Sequence, residues 1–289
     1  MKSPVTLRTG LLGGALIIAI ASAAAWLATK KPAPVASTAL PGVQILPAMK
    51  MPGLDRERIL RVYTPPGYAN SDKRYPVLYM HDGQNLFDAA TSYAGEWGVD
   101  ETLDRLAREH HLEVIVVGID NGAEKRMLEL TAWENPEHAK GEGRQYMEFV
   151  VAVVKPYIDA HYRTQPDRAH TAIMGSSLGG LISHYAIYEY PKVFSKAGLF
   201  SPSYWYAPAV DEFTTSHSVP PGTRLYFYAG GKEDEHMVGN MQHTVDLVRK
   251  AGVPAEDISV HVVETAAHNE TAWRAEFPPA VEWLFREAE

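Results

Sequence analysis

The chain has 289 residues, 46% of them hydrophobic and 21% charged, the proportions of a globular protein with enough apolar residues for a sizeable core. Its 35 acidic residues against 27 basic ones give a net charge of −8 with no long run of either sign, which argues against a nucleic-acid partner. Cysteine is absent, which excludes disulfides, thiol catalysis and cysteine-ligated metal.

Residues 1–31 stand apart from the fold. Lys2 and Arg8 precede an uncharged stretch from Leu11 to Ala28, rich in Leu, Ile and Ala, and Lys30-Lys31 follow it. The stretch is longer than a usual signal-peptide core and at the short limit of a membrane span. Ala21, Ala23 and Ala25 offer small residues for cleavage. The segment is expected to act either as a signal peptide or as a membrane anchor through residues 11–28. The protein is then exported, periplasmic or secreted, or held at the inner membrane. Residues 32–42, rich in Pro and Ala, read as an extended linker. Without internal repeats or a second shift in composition, 43–289 is expected to form one domain. Nothing in the sequence speaks to oligomeric state.

Strands and helices then alternate. Ile59 to Tyr63 and Tyr75 to Met80 read as strands, Trp97 to His110 as a helix with Leu103 and Leu106 on one side, and Val114 to Ile119 as a strand covered on both faces. Arg144 to Tyr162 has helical spacing interrupted by Pro156. His170 to Met174 is a short apolar strand, and Leu178 to Tyr190 a helix stopped by Pro191. Ala197 to Phe200 and Arg224 to Ala229 are two more strands, followed by a helix from Met237 to Ala251, a last strand from Ile258 to Val263 and a closing helix from Ala280 to Glu287. This alternation predicts an α/β fold with a mostly parallel central sheet and helices on both faces. In such sheets ligands bind beyond the carboxyl ends of the strands, so chemistry is expected in the loops after each strand.

Gly175-Ser176-Ser177-Leu178-Gly179-Gly180 joins one such strand to a helix through G-x-S-x-G, the pattern of a nucleophile elbow with Ser177 at the bend. The turn strains the serine backbone, and glycine is expected at 175 and 179 because side chains there would collide with it. The helix starting at Leu178 aims unpaired N–H groups and a partial positive charge at the space beside the hydroxyl. The spacing matches neither a dinucleotide nor a phosphate loop. A neutral serine needs a base, and the base needs a carboxylate to fix its tautomer. Of 12 histidines, His268 alone follows the last strand in the last third of the chain. Glu233 and Asp234 compete for the acid, with Glu235 third; all three lie in the loop after Ala229. His81 follows the second strand but precedes the serine, and reads as a structural or pocket residue. His236 and His243 share a helix face without a third ligand at metal spacing, so neither metal nor cofactor is expected.

Three motifs, H-D-G-Q-N-L-F-D at 81–88, G-S-S-L-G-G at 175–180 and H-N-E-T-A-W at 268–273, together resemble the esterase D and enterochelin-esterase-like family of α/β-hydrolases. That family includes feruloyl and other carbohydrate esterases, siderophore trilactone esterases and mycolyltransferases. The resemblance implies an α/β-hydrolase fold over the whole domain, with Ser177 as nucleophile, His268 as base and, from Gly230-Gly231-Lys232-Glu233, Glu233 as the favoured acid. It places oxyanion donors at the backbone of Gln84 and Leu178, and a structural pair at Arg126 and Glu129. An alanine stands where glycine often precedes the histidine. The expected activity is serine carboxylic-ester hydrolysis of a small-molecule or carbohydrate ester, either a siderophore trilactone or a feruloyl- or acetyl-type ester. The alternatives are acyl transfer to a sugar or lipid alcohol by the same residues, and a non-catalytic binding module. His81, Asp82, Trp97, Trp205 and Trp273 are candidates for the substrate pocket. Tyr93, Trp133, Tyr204 and Tyr206 also lie near post-strand loops.

Overall fold

A computed structural model describes residues 35–138 and 140–286. The apolar stretch at 11–28 and the first part of the expected linker lie outside the described residues. Among those described, no helix is long and apolar enough to cross a membrane.

The domain, Ser37–Glu289, is built on one eight-stranded sheet in the order β1-β2-β4-β3-β5-β6-β7-β8. These strands are β1 Val43–Met51, β2 Arg56–Tyr63, β3 Val77–His81, β4 Ile115–Ile119, β5 Thr171–Ser176, β6 Lys196–Phe200, β7 Arg224–Gly230 and β8 Ile258–Val263. The β1–β2 and β2–β4 pairs are antiparallel, and every later pair is parallel. The central strands read as unbroken apolar runs because alternate residues serve two cores. Val77 and Tyr79 of β3 join one apolar cluster, while Leu78 and Met80 join the other; Ile173 of β5 and its neighbours Ala172 and Met174 divide in the same way.

The helices are α1 Val99–His110, α2 Arg126–Glu129, α3 Gly143–Phe149, α4 Lys155–His161, α5 Leu178–Glu189, α6 Val210–Ser216, α7 Met237–Lys250 and α8 Glu270–Phe285. The cluster on one face of the sheet holds α1 and α8 through Leu103, Leu106, Trp273, Phe277, Val281 and Leu284. The other takes residues from α3 to α7, among them Phe149, Ile182, Phe213 and Val245. Helix α5 is buried along almost its whole length, as suits the element that carries the serine turn.

Five features depart from expectation. β1 gave no sequence signal because only Leu46 and Met51 are buried along it, and its register shifts between Leu46 and Met49, around Pro47. Pro156 does not interrupt the helix from 143 to 161; a π-helical turn at Val150–Val154 precedes it and widens the backbone where the ring would strike a carbonyl. α6 was not anticipated. The closing helix begins ten residues early, at Glu270, and runs through Pro278 and Pro279. Each internal proline costs about 3 kcal/mol, but burying Trp273, Phe277, Val281 and Leu284 contributes about 1.5–3 kcal/mol apiece, so packing wins. The packed unit also starts before Val43: Ser37 Oγ donates to Asp88 Oδ2 at 2.8 Å and the Leu40 N–H to Asp100 Oδ2 at 2.8 Å.

Candidate active site

The turn from β5 into α5 holds Ser177 at φ 59° and ψ −120°, a conformation that costs a non-glycine residue about 1–3 kcal/mol. Its backbone is fixed from the β6 side: the Ser177 N–H donates to Phe200 O at 2.9 Å, and the Ser203 N–H donates to Ser177 O at 3.1 Å. Both flanking glycines have close neighbours, Gly175 the closer. A Cβ on Gly175 would lie 2.8–2.9 Å from the backbone of Gly179, and one on Gly179 would lie 3.3 Å from His81 Cβ. The strand and helix press on each other, and Gly179 lies close against the end of β3.

His268 stands in the loop between β8 and α8, and Asn269 caps that helix by accepting from the Ala272 N–H at 3.0 Å. His268 Nδ1 lies 2.6 Å from Glu233 Oε2. The Glu233 side chain is fully buried, whereas that of His268 is 36% exposed. The second carboxylate oxygen, Oε1, accepts from the Gly230 N–H at 2.6 Å and from Ser201 Oγ at 2.6 Å. With Oε1 taken by these two donors, Oε2 is left to accept from Nδ1–H, which assigns Nε2 as the lone-pair nitrogen. Of the three acids in this loop, only Glu233 faces the histidine. Asp234 is turned outward and accepts the His236 N–H at 2.8 Å, and Glu235 lies 3.3 Å from His236 Nε2.

Ser177 and His268 line the same cleft, about 930 Å³ in volume, together with Gln84, Asp82, Arg126 and Trp273. The Ser177 hydroxyl is engaged with a neighbour: its Oγ lies 3.0 Å from Ser203 Oγ. Gln84 sits in the turn after β3, where Asp82 takes left-handed angles (φ 57°, ψ 46°) and a Cβ on Gly83 would lie 2.7 Å from the backbone of Gly118. The Gln84 side chain accepts the Asn121 N–H at 3.1 Å, which anchors this turn to the loop after β4. Leu178 opens α5, so its N–H is among those a helix cannot satisfy internally.

A family model described as "Putative esterase" matches residues 52–284. The chain belongs to this esterase family. It is 27% identical over 243 residues to the uncharacterised protein YbbA of Bacillus subtilis, covering 79% of this chain and 92% of that protein. It is 23% identical over 229 residues to an endo-1,4-beta-xylanase/feruloyl esterase of Xylanibacter ruminicola, covering 78% of this chain but only 29% of that protein. Among solved structures, the enterochelin esterase of Shigella flexneri superposes with a TM-score of 0.70 at 19% identity, over 85% of this chain and 58% of that one. The fold is that of an α/β-hydrolase, and the protein is a carboxylic-ester hydrolase.

The esterase's cleft is lined by fewer of the expected aromatics than the sequence offered. Trp273 is there, edge-on to the His268 ring at 5.0 Å and donating from Nε1 to Ser201 Oγ at 3.0 Å. Tyr93, 93% exposed, forms part of its wall. Trp97 does not line it: this ring is buried in the core, 5.1 Å from Phe200 and 5.8 Å from Trp273. Trp205 is 53% exposed and packs edge-on to His138 and Tyr206, away from the cleft. Trp133, Tyr204 and Tyr206 are core residues.

His81 also lies beneath the cleft rather than in its wall. It is buried with Nδ1 2.7 Å from Tyr146 OH, and burial pushes its pKa down to about 4, so it is neutral at pH 7. Asp82 does line the cleft, gripped by Arg126 at 2.6 and 2.8 Å and by Asn121 at 2.6 Å. Burial opposes its charge, but Arg126 and Asn121 outweigh that effect and hold the carboxyl below its usual range. Arg126 and Glu129 are therefore not paired with each other. Glu129 instead takes Arg58 and Arg56, the latter at 2.8 Å. Ser201, Ser203, Asn121 and Asp120 carry no distinctive sequence signal, and Glu270, inside the H-N-E-T-A-W motif, was given no role by it. Ser201 and Ser203 were within reach of the rule that sites follow strands, since β6 ends at Phe200. His236 and His243 pair with Glu235 and with Asp211, and among the described residues no His, Asp and Glu cluster fits a metal ion.

Proposed function

We propose that this esterase works through an acyl-enzyme on Ser177, with His268 as general base and acid and Glu233 as its carboxylate partner. The observation that carries the reading is the 2.6 Å contact from His268 Nδ1 to a wholly buried Glu233, which leaves Nε2 uncommitted on a histidine that lines the same cleft as Ser177. In this reading Oγ leaves Ser203 and engages Nε2 when substrate is bound. The Oγ–H proton passes to Nε2 as Oγ bonds to the ester carbonyl carbon. The oxyanion is met by the N–H groups of Gln84 and Leu178, each donor contributing about 3–4 kcal/mol to transition-state stabilisation. Collapse breaks the ester C–O bond and returns the proton from Nε2 to the leaving alcohol. Water then repeats the cycle and frees the acid.

The substrate in this reading is an acyl or aryl ester, of the feruloyl or acetyl type on a carbohydrate or of the siderophore-lactone type. The names of a feruloyl esterase relative and an enterochelin esterase neighbour support that range. We further infer export, by cleavage or by tethering, from the apolar segment at 11–28. Turnover of a 4-nitrophenyl ester, a feruloyl ester and a tricatecholate lactone by wild type and Ser177→Ala tests the chemistry. The variant should lose turnover by about a thousandfold or more, and wild-type rates in it would refute the mechanism.

A further inference from the structure

We infer that Glu270 makes this cleft selective for esters that are neutral or cationic around the scissile bond, and against anionic ones. The inference deepens the hydrolase reading and rests on it.

Three carboxylates line the cleft, Asp82, Asp120 and Glu270, against one guanidinium, that of Arg126. Two of the carboxylates are already matched. Asp82 is held by Arg126 at both oxygens through Nε and Nη2, so each already offsets the charge of the other. Asp120 is held at both oxygens by Arg61, at 2.8 and 3.0 Å, and Arg61 is itself buried.

Glu270 differs from both. It is only 8% exposed, yet it lines the cleft and makes no hydrogen bond or ion pair among the described residues. It stands two residues beyond His268 in the first turn of α8, where the partial positive charge of the helix N-terminus suits an acidic side chain. Its charge is felt across the cleft, where it adds to the forces that raise the pKa of Arg126. Behind His268 lies a further buried negative charge, Glu233. The wall around the reacting serine therefore has one carboxylate without a hydrogen-bond or ion-pair partner among the described residues. A substrate hydroxyl or ammonium donates to it, whereas a carboxylate or phenolate meets like charge in a partly desolvated space. Within the range of esters proposed above, a hydroxyl-rich alcohol or uncharged aryl acid fits this wall and a polyanionic lactone does not.

Matched chromogenic esters test this: mono-4-nitrophenyl adipate, its methyl ester and the 4-nitrophenyl ester of 6-(trimethylammonio)hexanoate, with a second set carrying the charge on the alcohol. In at least one set the wild type should hydrolyse the anionic member with kcat/KM lower than the neutral one by about tenfold or more. Glu270→Gln should reduce that ratio by about tenfold. Raising ionic strength from about 0.02 to about 0.5 M should shrink the ratio in the wild type, a readout that survives if the variant fails to fold. Equal rates on anionic and neutral members of both sets, or a ratio untouched by Glu270→Gln or by salt, overturn the inference while leaving the hydrolase reading intact. No turnover of any member overturns the hydrolase reading, and this one with it.

Discussion

Ser177 Oγ rests 3.0 Å from Ser203 Oγ, and the backbones of the same two residues are tied by the Ser203 N–H donating to Ser177 O at 3.1 Å. The hydroxyl that the mechanism needs is thus parked on a neighbouring hydroxyl, on a loop that also clamps the strained turn. Ser203→Ala removes the side-chain contact and keeps the backbone one. A neutral hydrogen bond of about 0.5–1.5 kcal/mol is lost from the resting state, so reaction with a fluorophosphonate should quicken by about twofold to tenfold. Stopped-flow labelling measures it, and a slower reaction would show that Ser203 assists Ser177 instead of restraining it.

Ser201 ties the acid to the aromatic wall. It donates to Glu233 Oε1 at 2.6 Å and accepts from Trp273 Nε1 at 3.0 Å, so one buried hydroxyl holds both groups that flank His268. Ser201→Ala leaves the carboxylate short of a donor and the indole N–H unpaired. Urea unfolding should show a loss of about 1.5–3 kcal/mol, accompanied by a fall in kcat/KM. Wild-type stability and activity together would mean that Gly230 N–H alone suffices to hold Glu233.

Gly175 and Gly222 separate crowding from backbone strain. A methyl at 175 strikes backbone atoms of Gly179 at 2.8–2.9 Å, whereas one at 222 meets nothing within 4 Å and only the left-handed φ of 74° opposes it. Gly222→Ala should cost about 1 kcal/mol, and Gly175→Ala about 3 kcal/mol or more, with lost activity. Comparable Tm values for the two variants would contradict the close strand–helix approach.

His81 and His184 are buried and neutral, their pKa values pushed down by burial to about 4 and about 3. A histidine with a folded pKa below its unfolded value adds stability in full above about pH 6.5, and that stability is lost as pH falls toward the folded value. Between pH 7 and pH 5 the two should together remove about 4 kcal/mol. Asp82 behaves in the usual carboxylate sense: held below its ordinary range, it stabilises above that range and loses the contribution only at still lower pH. Urea midpoints across this range check the slope, and a flat profile from pH 7 to 5 would contradict the burial of both rings.

The parallel half of the sheet was legible because β3, β5 and β7 each feed two cores and so carry no polar alternation. β1 was not, since Leu46 and Met51 are its only buried residues and Pro47 sits where its register shifts. The first turns of α8 were hidden by Pro278 and Pro279, which local propensity reads as a stop and which tertiary packing overrides. Ser177 and His268 stood out by order and by their place after strands. Glu233 and Asp234 are adjacent in the chain, and only the path of the loop turns one inward and the other to water. Trp97 and Trp205 illustrate the same limit, because a loop tryptophan's identity does not say whether it faces core, cleft or solvent.

The most direct test of the proposed mechanism is peptide mapping by mass spectrometry after treatment with a fluorophosphonate. The account predicts one phosphonyl adduct per chain, on Ser177, forming far more slowly in His268→Ala. Labelling at another residue, or equal labelling rates with and without the His268 imidazole, would contradict it.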